Sequence, residues 1–204
     1  MTEKELIKSH DRNLERYALY RKFGRDIEKE RSFIIEKARP ISGNILEAGT
    51  GKGYFALALA NEGFHFTAFD ISAAEQVYAQ FNLAYHGLGK HVHFDVADAE
   101  RLPYEDGSFD LIFAVSMVHH LSSVRKVCNE LVRILSPSGK IVLSDFNTHG
   151  FAVVDTVHAF EGRKHELNSG TMTEAKAILI EYGLKVEEHQ GETQDVLVAS
   201  RIAT

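Results

Sequence analysis

The sequence predicts a doubly wound α/β fold: a mostly parallel sheet of seven strands, helices on both faces, and further helices ahead of the first strand. Three observations carry this. From Asn44 onward, short apolar runs alternate with stretches of helical period. Glycine and proline punctuate the junctions. A loop with three glycines, Gly49 to Gly53, sits directly between the first apolar run and the first helix after it.

Residues 3–38 are charge-rich and read as helical. Leu6, Leu14, Tyr17 and Tyr20, then Ile27, Phe33 and Ile34, form apolar stripes of helical spacing, and Pro40 and Gly43 end them. The charge run "RDIEKERSFIIEK" reads as a solvated helix face. Strands are expected at Ile45–Glu47, Phe64–Asp70, Val92–Asp95 and Asp110–Ser116, with helices at Tyr54–Asn61, Ala73–His86 and about Ser123–Leu135. "SPSG" reads as a turn before a fifth strand, "KIVLSDF". A capping box, Thr171 with Glu174, opens a last helix closed by Gly183. Lys185–Gln190 and Asp195–Ser200 then read as a closing hairpin around Gly191. The expected organisation is a helical cap over 1–43 and a main domain over 44–204, with the weakly patterned 147–171 as a substrate-site insertion.

Composition narrows the class. A chain of 204 residues with 44% hydrophobic and 25% charged residues fits one sizeable globular core. A net charge of −6 argues against a nucleic-acid partner held by phosphate neutralisation. Cys128 is the only cysteine, so internal disulfides and thiolate clusters are out of reach, and its helical setting reads as a small buried filler. No apolar run approaches membrane-spanning length and the amino terminus lacks a signal-peptide core, so the expectation is a cytoplasmic protein without membrane insertion.

Three ligands compete for the glycine loop. A triphosphate site needs G-x-x-x-x-G-K-[ST], but Lys52 is followed by Gly53, without the magnesium-binding hydroxyl. A dinucleotide site prefers G-x-G-x-x-G, whereas here the third glycine falls one position early and Tyr54 takes the place of a small residue. Glu47, just ahead of the loop, favours a third kind of ligand, one with an adenosine, an amine and a carboxylate but no phosphate. A carboxylate there repels a pyrophosphate and attracts an ammonium. Asp70, ending the second strand, is placed to accept from two ribose hydroxyls, a feature that nicotinamide sites share.

Residues 93–121, "HFDVADAERLPYEDGSFDLIFAVSMVHHL", add a third acidic position, Asp98, ahead of a Leu-Pro, an acidic turn and a buried strand. At these residues the chain resembles the class I S-adenosylmethionine-dependent methyltransferases of the small-molecule branch, with their Rossmann-like fold. The resemblance runs from about Ile45 to Asp145, half the chain. It rests on "EAGTGKG", the Asp70 strand end, "DAERLPYEDGSFDLI" and "LVRILSPSGKIVLSD" in order. It implies that Glu47, Gly49 and Gly51 line the methionine end of S-adenosylmethionine, with Gly53 shaping the turn. Asp70 would hold the ribose diol and Ile71 would pack on the adenine. Asp98 would accept from the adenine amino group, Ala99 would offer its N–H, and Ser116 would lie beside the cofactor. The implied reaction is methyl transfer to an O, N, C or S atom of a small-molecule acceptor.

Such a transfer needs position and alignment more than a catalytic group, and a general base only where the acceptor must lose a proton. His119 and His120 follow the fourth strand, and Asp145, Asn147 and His149 follow the fifth. Adjacent histidines in extended chain point oppositely, which puts only one of the first pair in the pocket; His120 and His149 are the expected catalytic candidates. Tyr17, Tyr20 and Phe23 are candidates for a lid. No metal site is expected, because His149, His158 and His165 lack a ligand-like spacing. The Asn/Asp-Pro-Pro-aromatic and Pro-Cys signatures of nucleic-acid base methylation are absent after the fourth strand. The alternatives are a nicotinamide-dependent oxidoreductase on the same kind of sheet and a non-catalytic relative that only binds.

Overall fold

The computed structural model describes residues 2–164 and 167–201. Two helices come first. α1 spans Glu3–Lys22 behind a capping box of Thr2 and Glu5, and α2 spans Ile27–Lys37 behind Asp26, which accepts from the Lys29 N–H. Between them Gly24 takes φ of 93°, which lets the chain fold back. The sheet is built from β1 (Ile45–Ala48), β2 (Phe66–Asp70), β3 (Val92–Val96), β4 (Phe109–Val115), β5 (Leu135–Phe146), β6 (Leu184–Gln190) and β7 (Gln194–Arg201). Between the strands run α3 (Tyr54–Asn61), α4 (Ala73–Tyr85), α5 (Val124–Ile134), α6 (Thr148–Phe160) and α7 (Met172–Glu181).

Strand order is β3-β2-β1-β4-β5-β7-β6, with β1 to β5 parallel and β7 antiparallel to both of its neighbours. The order reverses between β1 and β4, so a cleft opens at their carboxyl ends, where such sheets bind ligands. Both faces are covered, which is why the central strands read as unbroken apolar runs. Alternate residues still go to different layers. Leu46, Ile112, Ala114 and Leu143 pack with Val127, Leu131 and Ile178 under α5 and α7. Ile45, Leu111, Phe113 and Val142 pack with Ile34, Phe55, Leu59 and Leu83 under α2, α3 and α4. A third cluster joins Tyr20 and Ile27 to Val153, Val154 and Val157, so the amino-terminal helices and α6 together roof the cleft.

Three local expectations need correction. "SPSG" is not a free turn ahead of the fifth strand. β5 starts at Leu135, paired with Phe109, and the excursion is absorbed as a register irregularity before Lys140 pairs with Leu111. The segment after β5 is largely helical. Gly150 and five β-branched residues depress the intrinsic propensity of α6. The helix is held by the Asn147 cap on the Gly150 N–H and by the valine cluster on Tyr20. The charge run of α2 is solvated only in part: Glu28, Lys29 and Glu36 are exposed, but Glu30 and Arg31 are only 7% and 6% exposed. Cys128 is buried as expected, and burial pushes its thiol up to about 12, which keeps it protonated and unreactive.

Candidate active site

The three glycines of the loop serve different ends. Gly49 and Thr50 donate their N–H groups to the Phe69 carbonyl at 2.9 and 3.0 Å, tying the loop to β2. A Cβ on Gly49 would lie 2.9 Å from the Met117 sulfur. Gly51 sits at φ of 51° with nothing within 4 Å of where a Cβ would stand, so its bare face looks into the cleft. Gly53, at φ of 77°, starts α3, and a Cβ there would meet the Ala79 Cβ at 2.7 Å. Its expected cofactor contact is therefore corrected to close packing of α3 on α4, since it lines neither cavity of the cleft.

One side of the cleft is a cavity of about 670 Å³, lined by Gly49, Gly51, Asp70, Ile71, Asp98, Ala99 and Ser116 among others. Seven of the nine residues expected around the cofactor thus line one cavity, without Glu47 and Gly53. The Asp70 carboxylate is held rigidly, accepting from the Gly51 N–H on one oxygen and the Ser72 N–H on the other, both at 2.8 Å. Each oxygen keeps a lone pair for a further donor. Ile71 is 71% exposed at this wall, an apolar surface that a flat ring would cover.

Past Gly49, Gly51, Ser116 and His120, which line both, the cleft widens into a second cavity of about 1070 Å³. Glu47 forms part of its wall. It is 2% exposed, and its Oε2 has no hydrogen-bond partner among the described residues. Burial raises its carboxyl from the ordinary 4.5 to about 8, with the Arg31 charge partly opposing. Arg31, from α2, lines the same cavity. It pairs with Glu30 at 3.1 Å and donates to Gln194 at 3.3 Å, but its Nε is also unpartnered. Burial lowers its affinity for a proton. A buried carboxyl and a buried guanidinium in one lining, each with an unsatisfied atom, are left for a ligand to complete.

Ser116 ends β4 with φ of 54°, the only non-glycine residue with positive φ among the described residues. Its hydroxyl accepts from Gln194 at 2.6 Å, and the Gln194 carbonyl accepts from the Ser144 hydroxyl at 2.8 Å. The chain then turns in a short 3₁₀ segment, Val118–His120, rather than running extended. That turn overrides the expected opposite orientation: the His119 and His120 rings lie 3.9 Å apart and both line the larger cavity. His119 is buried, and its Nδ1 lies 2.6 Å from Asp145 Oδ1 while its backbone N–H donates to Oδ2 at 2.8 Å. His149, by contrast, is exposed on α6, with Nδ1 3.1 Å from the Glu192 carbonyl, and lines neither cavity. His158 lines the larger cavity, whereas His165 lies outside the described residues. Of the lid candidates, Tyr20 lines the larger cavity, Tyr17 packs on Tyr54 and Phe23 on Phe160.

Arg31 and the pairing of His119 with Asp145 are the features that residue patterns alone did not expose. Arg31 carried one usable signal: it and Glu30 fall on the face defined by Ile27, Ile34 and Ile35, at spacings where a solvated charge does not belong.

A profile described as a methyltransferase domain matches residues 46–143, from within β1 through most of β5. Over this stretch, just under half of the chain, the sequence is similar to methyltransferase domains. It is 33% identical over 104 residues to norajmaline N-methyltransferase of Rauvolfia serpentina, covering 50% of this chain and 36% of that protein. It is 36% identical over 110 residues to demethylmenaquinone methyltransferase of Clavibacter sepedonicus, covering 53% and 44%. The match therefore spans less than half of either curated relative. Among solved structures, a SAM dependent methyltransferase from Aquifex aeolicus superposes with a TM-score of 0.65 at 21% identity, covering 84% of this chain and 89% of that one. This last likeness speaks to the fold alone. No helix among the described residues is long and apolar enough to cross a membrane.

Proposed function

We propose that the cleft binds S-adenosylmethionine and that the protein transfers its methyl group to a small-molecule acceptor held in the larger cavity. The observation that supports this reading is a buried carboxyl and a buried guanidinium in the lining of the larger cavity, with Glu47 Oε2 and Arg31 Nε both without a hydrogen-bond partner among the described residues. An amino acid end completes both: its ammonium answers the carboxylate and its carboxylate answers the guanidinium. A pyrophosphate answers only one of them and is repelled by the other once Glu47 ionises. On the opposite side, Asp70 takes the ribose hydroxyls, Ile71 and Ala99 flank the adenine, and Asp98 accepts from its amino group. Gly49 and Gly51 leave room for the chain between them.

The cofactor supplies a methyl group already activated by a sulfonium. The protein's work is then to orient and to exclude water, worth about 7–11 kcal/mol when alignment is good. Ser116 and His120, which line both cavities, form the wall between donor and acceptor. His119 is the proton acceptor for an acceptor atom that must lose a proton. The Asp145 carboxylate beside Nδ1 fixes that nitrogen as the protonated one and sets the orientation of the ring. This assigns to His119 the role expected of His120, and removes His149, whose surroundings are solvent and the Glu192 backbone.

Calorimetric titration tests the reading. S-adenosylhomocysteine is expected to bind at micromolar concentration and NAD(H) not to bind; the reverse result would replace methyl transfer with nicotinamide chemistry.

A further inference from the structure

The protein has a net charge of −6, yet the mouth of the larger cavity is cationic. Arg16 of α1 and Arg163, just beyond α6, converge there on a single carboxylate. Glu161 Oε1 accepts from Arg16 at 2.7 Å, and its Oε2 accepts from the Nε of Arg163 at 3.1 Å and from the second guanidinium nitrogen. Arg16 and Glu161 are 21% and 24% exposed and Arg163 48%, so water screens the Arg16–Glu161 pair less than the Arg163 arm. Lys164 lines the same cavity. The other charges there are already matched. Arg25 is bound bidentately by Glu30 and lies between the Tyr20 and Phe146 rings at 4.9 and 4.5 Å. Lys52 faces Glu75 at 3.8 Å, and Glu47 with Arg31 serve the cofactor. Among the described residues a positive surplus therefore remains in this lining, from two arginines sharing one carboxylate and from Lys164.

Tyr20, Ile27, Phe146 and Val154 add apolar surface to the same lining. We propose that the acceptor is a small oxyanion with an apolar or aromatic body, its carboxylate or phosphate held by Arg16 and Arg163 in competition with Glu161. The inference rests on the methyltransferase reading above, because it assigns this cavity to the acceptor. The guanidinium fork suits either oxyanion, since both offer paired acceptor oxygens. With the charged head fixed at the rim, the apolar body points the reacting atom inward, toward His119 and Ser116.

The test uses the full chain saturated with S-adenosylhomocysteine, whose own titration is recorded first; failure to bind it would overturn the methyltransferase reading rather than the charge preference. Four ring compounds of similar size are then titrated by calorimetry: 4-hydroxyphenylacetate, phenyl phosphate, 4-hydroxyphenylacetamide and tyramine. One of the two anions is expected to bind at least about tenfold more tightly than the amide, with tyramine weakest; which anion wins separates carboxylate from phosphate recognition. Arg163→Gln, at a half-exposed position, is expected to weaken the preferred anion about tenfold while S-adenosylhomocysteine affinity stays within about twofold. Glu161→Gln is expected to act in the opposite direction and tighten the anion, because it removes the competing carboxylate, an outcome general loosening of the rim does not produce. The proposal is overturned if neither anion binds better than the amide, if Arg163→Gln leaves anion affinity unchanged, or if Glu161→Gln weakens it.

Discussion

Glu47→Gln isolates the most unusual charge in the protein. The wild-type carboxyl titrates near 4.5 when unfolded and at about 8 in the ligand-free fold, because it is buried without a partner for one oxygen. A folded value raised in this way contributes stability that is full below the unfolded value and is lost as pH rises toward 8. Between pH 5 and 7 the loss amounts to about 2–3 kcal/mol. Glutamine has the same shape and does not titrate, so this part of the pH slope should vanish in the variant. Urea denaturation of both ligand-free proteins at pH 5 and pH 7 measures it. With an m-value of about 1–3 kcal/mol/M, the wild-type midpoint should fall by on the order of 1 M more than the variant's. Binding supplies a second readout. A ligand ammonium draws out the carboxylate, so S-adenosylhomocysteine binding at pH 7 should release close to one proton from wild type, seen as buffer-dependent heat, and none from the variant. Parallel pH slopes in the two proteins, with equal proton release, would refute the assignment of Glu47 as a buried, incomplete partner.

Other substitutions probe the rest of the site. Asp70→Ala should weaken S-adenosylhomocysteine binding by more than about tenfold, because a charge-assisted pair of hydrogen bonds is lost; calorimetry showing unchanged affinity would place the ribose elsewhere. His119→Gln should lower kcat by roughly 10²–10⁴-fold for an acceptor that loses a proton, with S-adenosylhomocysteine affinity nearly constant, while His149→Gln should change neither. Gly53→Ala should cost about 1–3 kcal/mol in urea melts, since both the φ of 77° and the Ala79 contact oppose a side chain.

The sheet was legible because its strands are short apolar runs set off by helices that end at Gly63, Gly87 and Gly183, and because Asp70 and Asp98 stand at or just past strand ends where a polar residue needs a reason. The helix α6 was not, since its stability comes from Tyr20 and Ile27, more than a hundred residues away in sequence, rather than from its own propensity. Arg31 was masked by its neighbours: "DIEKER" looks like a solvated run, and only the fold shows Glu30 and Arg25 burying together with it. That His119 as well as His120 lines the larger cavity follows from one local feature, the 3₁₀ turn after Ser116, which breaks the alternation assumed for extended chain. The charge of the acceptor pocket was beyond reach in the same way, because Arg16 and Arg163 meet only through the packing of α1 on α6.

The most direct test is a crystal structure of the protein with S-adenosylhomocysteine. The account predicts the amino acid end between Glu47 and Arg31, the ribose hydroxyls on Asp70 and the sulfur facing the cavity that holds His119. A cleft left empty at saturating ligand, or a ligand whose amino acid end touches neither Glu47 nor Arg31, would contradict it.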